Sequence, residues 1–335
     1  MKTLIKSPEK DFVILNLTDP QLGNGEWDKD HKAYKILTYT LHELIRKVQP
    51  DLITVTGDIS WGEGHFDAYK NFAELMQSCG IPWAPVWGNH DNEDGADIVE
   101  EIADLYGTYS TCLFEKGDPA LGSGNYIIKI EENGKIVEAL FMMDTHADND
   151  ITLLDRNCVP QTYGSYASLT PLQLEWYKEQ VQEMKKQGCQ DSSLFVHIPL
   201  YGYREAFYAA TEEDLRAPES VSLADSYKGI GWKDGYKETC FGVNREGIAS
   251  TNYNDGVRAV LEECGITKNV VAGHEHINNF SIPFNGIRYT YATKIGPGCY
   301  WPSDLNGGTV LTVTSEGVSE LRHEYVDVEH IVNAE

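Results

Sequence analysis

Trp87-Gly88-Asn89-His90-Asp91 closes a short apolar run over residues 83–87, and its meaning decides how the rest of the chain is read. A string of Gly, Asn and Asp is ordinarily turn chemistry, because these residues tolerate tight backbone geometry. Here the arrangement recurs. Asp19-Pro20-Gln21 follows the run 12–18, Gly57-Asp58 follows 52–56, His197 follows 193–196, and Gly273-His274-Glu275-His276 follows 269–272. Alone, Asp19, Asp58 and Asn89 read as turn residues, and His197 as a core histidine with its hydrogen bonds satisfied. Five such endings in one chain reverse each of those readings.

The surrounding pattern gives the fold class. Residues 27–48 place Tyr34, Leu37, Leu41, Leu44, Ile45 and Val48 at helical steps, and residues 65–78 do the same with Phe66, Tyr69, Phe72, Leu75 and Met76. With the apolar runs between them, the first 87 residues read β-α-β-α-β, the pattern of a parallel sheet covered by helices. The middle changes character. Runs 126–130 and 136–143 flank Glu131-Glu132-Asn133-Gly134, a hairpin turn with Asn-Gly at its centre, so antiparallel pairing and a second sheet are expected. Thr170-Pro171 opens a further helix that ends near Gly188, and residues 254–264 form another. Residues 201–250 are aromatic, glycine-rich and nearly aperiodic, which reads as a lid or substrate-loop insertion. No repeat or linker interrupts residues 1–335, so a single domain is expected.

Composition narrows the partners. The chain has 335 residues, 41% hydrophobic and 24% charged, enough to bury a substantial core. Its formal net charge of −25 opposes binding to nucleic acid or anionic membranes, so an anionic substrate needs a local positive centre, which bound metal cations can supply. The seven cysteines are scattered without a Cys-x-x-Cys pair and read as reduced, mostly buried thiols. No apolar run reaches the roughly 18 residues of a membrane span. The N-terminus makes a poor signal peptide, so a cytoplasmic location is expected, or a secreted one if a leader is removed.

In an open α/β sheet, ligands bind beyond the carboxyl ends of the strands, where neighbouring loops converge. The five endings bring Asp19, Gln21, Asp58, Asn89, His90, His197, His274 and His276 to such places. Oxygen and nitrogen donors without sulfur suit Mn, Fe, Zn or Mg. A carboxylate shared between two cations could hold them roughly 3.5–4 Å apart, as in two-metal phosphoryl transfer.

The ordered series Asp-x-Gln, Gly-Asp, Gly-Asn-His-Asp, an isolated strand-end His and Gly-His-x-His, spanning residues 19 to 276, resembles the calcineurin-like metallophosphoesterase superfamily. In overall character the chain looks most like the purple acid phosphatase-like branch without the colour-giving tyrosine. The resemblance implies a four-layer α/β/β/α sandwich with two mixed sheets. It also implies a binuclear centre in which Asp19, Gln21, Asp58 and His276 hold one metal. Asp58, Asn89, His197 and His274 would hold the other, with Asp58 bridging. His90 would be no ligand but the general acid or charge stabiliser beside the leaving group.

The implied activity is a metal-dependent phosphoesterase that cleaves phosphomonoesters or phosphodiesters by a metal-bridging hydroxide. The alternatives are hydrolysis of a pyrophosphate bond in a nucleotide derivative, and a non-catalytic metal-binding interaction module. A small phosphorylated substrate is the expected partner, with no nucleic acid and no membrane.

The chain departs from the pattern twice. Many relatives have His where Gln21 stands, and a neutral carboxamide is the weaker donor. At Trp61, three residues after Asp58, purple acid phosphatases carry an iron-ligating tyrosine, and Ser/Thr protein phosphatases carry nearby an aspartate that orients the catalytic histidine. Indole can do neither, so the sequence leaves open what orients His90. Asp144-Thr145-His146 has ligand spacing but the wrong place in the order, and reads as a loop near the pocket. His31, His42, His65, His323 and His330 read as solvated or capping. Tyr203, Arg204 and Lys294 are candidate contacts for substrate phosphate, and Gly298-Cys299-Tyr300-Trp301 is a candidate pocket wall.

Overall fold

A computed structural model describes residues 1–23, 25–62, 66–148, 151–154, 158, 160–212 and 230–333. The chain begins with β1 (Lys2–Ile5), β2 (Phe12–Leu17), α1 (Lys32–Val48), β3 (Leu52–Thr56), α2 (Phe66–Cys79) and β4 (Trp83–Val86). A 3-10 turn at His90–Asn92 leads into α3 (Ala96–Tyr106), the hairpin β5 (Tyr126–Glu132) and β6 (Lys135–Met142), and a small hairpin of β7 (Ile151–Leu154) and β8 (Pro160–Tyr163). Then come α4 (Pro171–Lys186), β9 (Ser192–Phe195), α5 (Gly202–Ala210), α6 (Val257–Cys264) and β10 (Thr267–Ala272). The chain ends with β11 (Ser281–Phe284), β12 (Ile287–Tyr291), β13 (Gly307–Thr314), β14 (Gly317–Tyr325) and α7 (Glu329–Val332).

Two mixed sheets result. One has the order β14-β13-β2-β3-β4, with β2, β3 and β4 parallel. The other runs β1-β5-β6-β9-β10-β12-β11, with β6, β9, β10 and β12 parallel. Alternation along the second sheet explains the layering. Ile128, Ile130, Leu140, Met142, Phe195 and Val271 join the cluster that also holds the first sheet and α1–α3. Their neighbours Ile127, Ala139, Phe141, Met143, Leu194 and Val270 pack with α4, α5 and α6. Side chains two apart share a face, so a sheet apolar at every position must be covered on both sides. The outcome is helix, sheet, sheet, helix, as the resemblance implies.

Local chemistry sets the boundaries. Thr170 accepts from the Gln173 backbone N–H while the Gln173 side chain accepts from that of Thr170, a capping box with Pro171 in the first turn. Asn133 and Gly134 both take positive φ, 52° and 76°, as a tight hairpin between β5 and β6 requires. His31 caps α1 as expected. His323 instead bonds Thr309 and Asn279 and is not solvated, and His65 lies outside the described residues. Strand β1 and helix α3, which the sequence reading passes over, complete one edge of the second sheet and one flank of the first.

The stretch 201–250 divides. Its beginning is α5, whose Tyr203, Ala206, Phe207 and Ala210 are buried in the second core, so this part covers a sheet and is no lid. Residues 213–229 lie outside the described residues. Among the described residues of this stretch, the far end, at Glu246, Gly247 and Ala249, reaches the pocket discussed below.

Candidate metal centre and its surroundings

Every expected donor stands just beyond the carboxyl end of a parallel strand: Asp19 and Gln21 after β2, Asp58 after β3, Asn89 after β4, His197 after β9, and His274 and His276 after β10. The turns that aim them are strained. Asp19, Gln21, Asp58 and His274 adopt positive φ of 53°, 42°, 51° and 78°, a region that side-chain-bearing residues keep only where the surroundings enforce it. The loops enforce it on one another. Asp19 N–H donates to the Gly57 carbonyl at 3.1 Å, Gln21 N–H to that of Asp58 at 3.0 Å, and Gly273 N–H to that of His197 at 3.0 Å. A Cβ at Gly88 would fall 2.1 Å from Asp58 Oδ1, so this approach admits only glycine.

The ligand atoms converge. One atom each from Asp58, His197 and His274 lie within 4.8 Å of one another. His197 Nε2 is 3.3 Å from Asp58 Oδ2 and 3.1 Å from Asn89 Oδ1, and His276 Nε2 is 3.6 Å from Asp19 Oδ1. Backbone carbonyls fix the rings: His197 Nδ1–H donates to Thr56 at 2.7 Å and His276 Nδ1–H to Tyr300 at 2.8 Å, which turns each Nε2 inward. Asp19 spends Oδ2 on Thr18 and the His274 N–H.

What remains is a set of buried acceptors without partners: Asp19 Oδ1, Gln21 Oε1 and His274 Nδ1. Such groups are rare in native proteins and call for an explanation. The electrostatics favour a cation. Burial opposes a charge on His197, yet Asp58 and Asp19 outweigh it and push the imidazole up to about 9. Burial and the neighbouring His197 hold His274 down at about 3, so it stays neutral, the form that coordinates metals. The residues fit a metal centre on donor type, convergence and unmet hydrogen-bonding capacity.

Asp91, the last residue of the opening stretch, is a hub that the sequence reading leaves without a role. Its buried carboxylate accepts from Asp58 N–H at 2.8 Å, Ile59 N–H at 2.9 Å, Gly88 N–H at 2.7 Å and Tyr69 O–H at 3.0 Å. It thereby pins the loops after β3 and β4 together. Burial and nearby Asp58 raise it to about 7.

His90 stands apart from the donors. Its backbone N–H donates to Asp58 Oδ1 at 2.9 Å, its ring lines the pocket, and Nδ1 lies 2.6 Å from Glu93 Oε1. Partial burial disfavours its charge, but Asp58 and Glu93 hold it above its ordinary value. Trp61, by contrast, is 40% exposed.

The pocket over the donors holds about 380 Å³ and includes His90, Tyr166, Glu246, Cys299 and Tyr300 in its wall. The expected wall at Cys299 and Tyr300 is therefore in place. Tyr300 stacks on His276 with ring centroids 4.1 Å apart. A second cavity of about 620 Å³ adjoins through Tyr166 and Ala249 and is lined by Arg204, Ser250 and Asn252.

Two expected substrate contacts need correction. Tyr203 is fully buried and its hydroxyl donates to the carbonyls of Val270 and Thr290, because α5 lies flat on the second sheet. Lys294 is also buried; its ammonium donates to the Asp19 carbonyl and supports the strained loop from behind, with burial lowering it to about 8. Arg204 does border a cavity, with Nε donating to Ser250 Oγ at 2.7 Å. Asp144 and His146 lie off the donor cluster, tied to Ser123, Gln173 and each other.

Comparisons with known proteins bear on the family and the fold. Two Arabidopsis thaliana proteins, "Probable inactive purple acid phosphatase 28" and "29", are 25% and 26% identical, covering 86% and 87% of this chain and 71% and 73% of their own lengths. "Phosphatase DCR2" of Saccharomyces cerevisiae is 25% identical over 83% of this chain and 46% of its own. Among solved structures, a dimetal phosphatase from Danio rerio superposes with a TM-score of 0.55 at 12% identity, covering 94% of this chain and 98% of that one, which bears on the fold alone. The family model for calcineurin-like phosphoesterases matches residues 12–278, the span that holds every donor named above, and the chain belongs to that family.

Proposed function

We propose that this protein is a two-metal phosphohydrolase acting on small phosphomonoesters or phosphodiesters. The observation that carries the reading is the convergence of unpartnered buried donors, Asp19 Oδ1, Gln21 Oε1 and His274 Nδ1, beneath a pocket whose rim holds a histidine outside the donor set. Asp19, Gln21, Asp58 and His276 would hold one ion, and Asp58, Asn89, His197 and His274 the other. Mn, Fe, Zn and Mg all suit these donors. When bound, the ions supply a nucleophile drawn from water at neutral pH and neutralise charge on the phosphoryl oxygens.

The chain's own residues do the rest. Thr56 and Tyr300 carbonyls keep two imidazoles from turning. Asp91 holds the loops of Asp58 and Asn89 at a fixed separation. His90 keeps a proton at the pocket rim and gives it to the leaving oxygen as the phosphorus–oxygen bond breaks. The net charge of −25 favours a small phosphorylated substrate over nucleic acid.

The names of the plant relatives raise the alternative of a silent metal-binding module. A complete donor set with a histidine beside it favours catalysis, since a scaffold needs no acid. The test is turnover by metal-loaded protein on p-nitrophenyl phosphate, its bis ester and a nucleoside diphosphate. Hydrolysis of either ester that is lost in Asp58→Asn supports the reading. Stoichiometric metal binding with no turnover on any of the three refutes it, and preference for the diphosphate would shift the assignment to pyrophosphate bonds.

A further inference from the structure

We propose that Glu93 is the positioning residue of His90, taking the place of the side chain that the loop after β3 cannot supply here. The proposal rests on the acid role given to His90 above. Glu93 lies three residues after His90, across the 3-10 turn His90–Asn92, and its Oε1 accepts from His90 Nδ1–H at 2.6 Å. That bond fixes the tautomer: with Nδ1 committed to the carboxylate, Nε2 is the nitrogen left to carry the transferable proton into the pocket. The other oxygen, Oε2, accepts the backbone N–H of Gly62.

The loop after β3 therefore still takes part. Trp61 is 40% exposed with its indole beside Gly23, and the next residue contributes a backbone donor that holds Glu93, which in turn holds His90. Exposure argues against a merely structural role. The side chains of His90 and Glu93 are 33% and 32% exposed, and a pair open to solvent stabilises a fold little, so the bond matters for where the ring points.

The experiment pairs Glu93→Ala and Glu93→Gln with His90→Ala, all metal-loaded, on an alkyl phosphate and on p-nitrophenyl phosphate. The alkyl ester needs a proton on its leaving oxygen and the aryl ester scarcely does. Glu93→Ala is expected to lower kcat on the alkyl ester by about 30-fold, part of the roughly 10²–10⁴-fold that a general acid contributes, with KM and metal content unchanged and a much smaller loss on the aryl ester. Glu93→Gln, which still accepts a hydrogen bond, should restore most of the loss. In the metal-free protein, the proton NMR resonance of His90 Nδ1–H should lie far downfield and disappear in Glu93→Ala.

Equal losses on both esters, no loss, or a Gln variant as damaged as Ala would overturn the proposal. If His90→Ala itself shows no leaving-group dependence while the NMR resonance behaves as expected, the acid role of His90 is what fails, and the positioning bond stands without that purpose.

Discussion

The floor and the rim of this pocket are built by opposite means. On the floor, His197 and Asp58 have side chains 0% and 1% exposed, and His197 is anchored through a backbone carbonyl. On the rim, His90 is a third exposed and anchored through another side chain. A backbone carbonyl at the end of a sheet strand is rigid, which suits a ligand that must not move. A carboxylate on a short turn is easily changed and gives, which suits a group that meets substrate and passes a proton. The difference matches the proposed split between ligand and acid among these histidines.

Substitutions can break that contrast, beginning with the largest effect. Asp58→Asn should weaken both ions at once, because the proposed assignment has Asp58 hold both. Turnover should fall by more than the roughly 10⁴-fold that losing a general acid costs at most, together with metal content by elemental analysis. His90→Ala should lower turnover of an alkyl phosphate by roughly 10²–10⁴-fold while metal content stays at the wild-type value. A loss of metal in that variant would place His90 on the floor after all.

Asp91→Asn tests the hub between the two regions. An amide cannot accept four hydrogen bonds as a carboxylate does, and one of its ends would face backbone donors. Metal affinity measured by titration should drop roughly 10–100-fold, as outer-shell changes do, and stability by about 1–3 kcal/mol in denaturant melts.

A control far from the pocket has the smallest effect. Glu138 on β6 is buried, bonds Ser193, and is raised by burial from its ordinary 4.5 to about 8. The folded chain thus keeps a proton between those values that the unfolded chain has released, so stability falls as pH rises through the window, by up to about 1.4 kcal/mol per unit for one proton. Glu138→Gln should flatten that slope in pH-dependent melts without changing metal content. An unchanged slope would mean that Glu138 does not titrate there.

The sequence makes the strand-end residues and His90 legible, and the side chain that holds His90 not at all. Donors at strand ends are marked by apolar runs that stop at Asp, Asn or His, and the alternation of strands with amphipathic helices tells where those ends meet. The Asn133-Gly134 hairpin and the Thr170 cap are equally plain, because local chemistry alone determines them. Glu93 is invisible to that reading, since one acid in Asp91-Asn92-Glu93-Asp94 looks like any other until the turn brings it against His90. Tyr203 and Lys294 mislead for a related reason. Aromatic and basic residues near a site attract a substrate role, and only the packing of α5 and the depth beneath Asp19 show that both are buried.

Glu246 and Glu275, both in the pocket wall, illustrate the limit from another side. Glu275 is flanked by two imidazoles in sequence, yet its carboxylate turns away to the Ala249 N–H and Asn278. Glu246 arrives from an aperiodic stretch and accepts from Ile277 N–H and Tyr300 O–H. Neither contact follows from periodicity or spacing, because both depend on where an irregular segment crosses the sheet edge.

The most direct test is element-resolved anomalous diffraction from metal-loaded crystals. Two peaks are expected, one reached by Asp19, Gln21 and His276 and the other by Asn89, His197 and His274, with Asp58 touching both and His90 touching neither. A single peak, or His90 coordinated to either ion, would contradict that assignment.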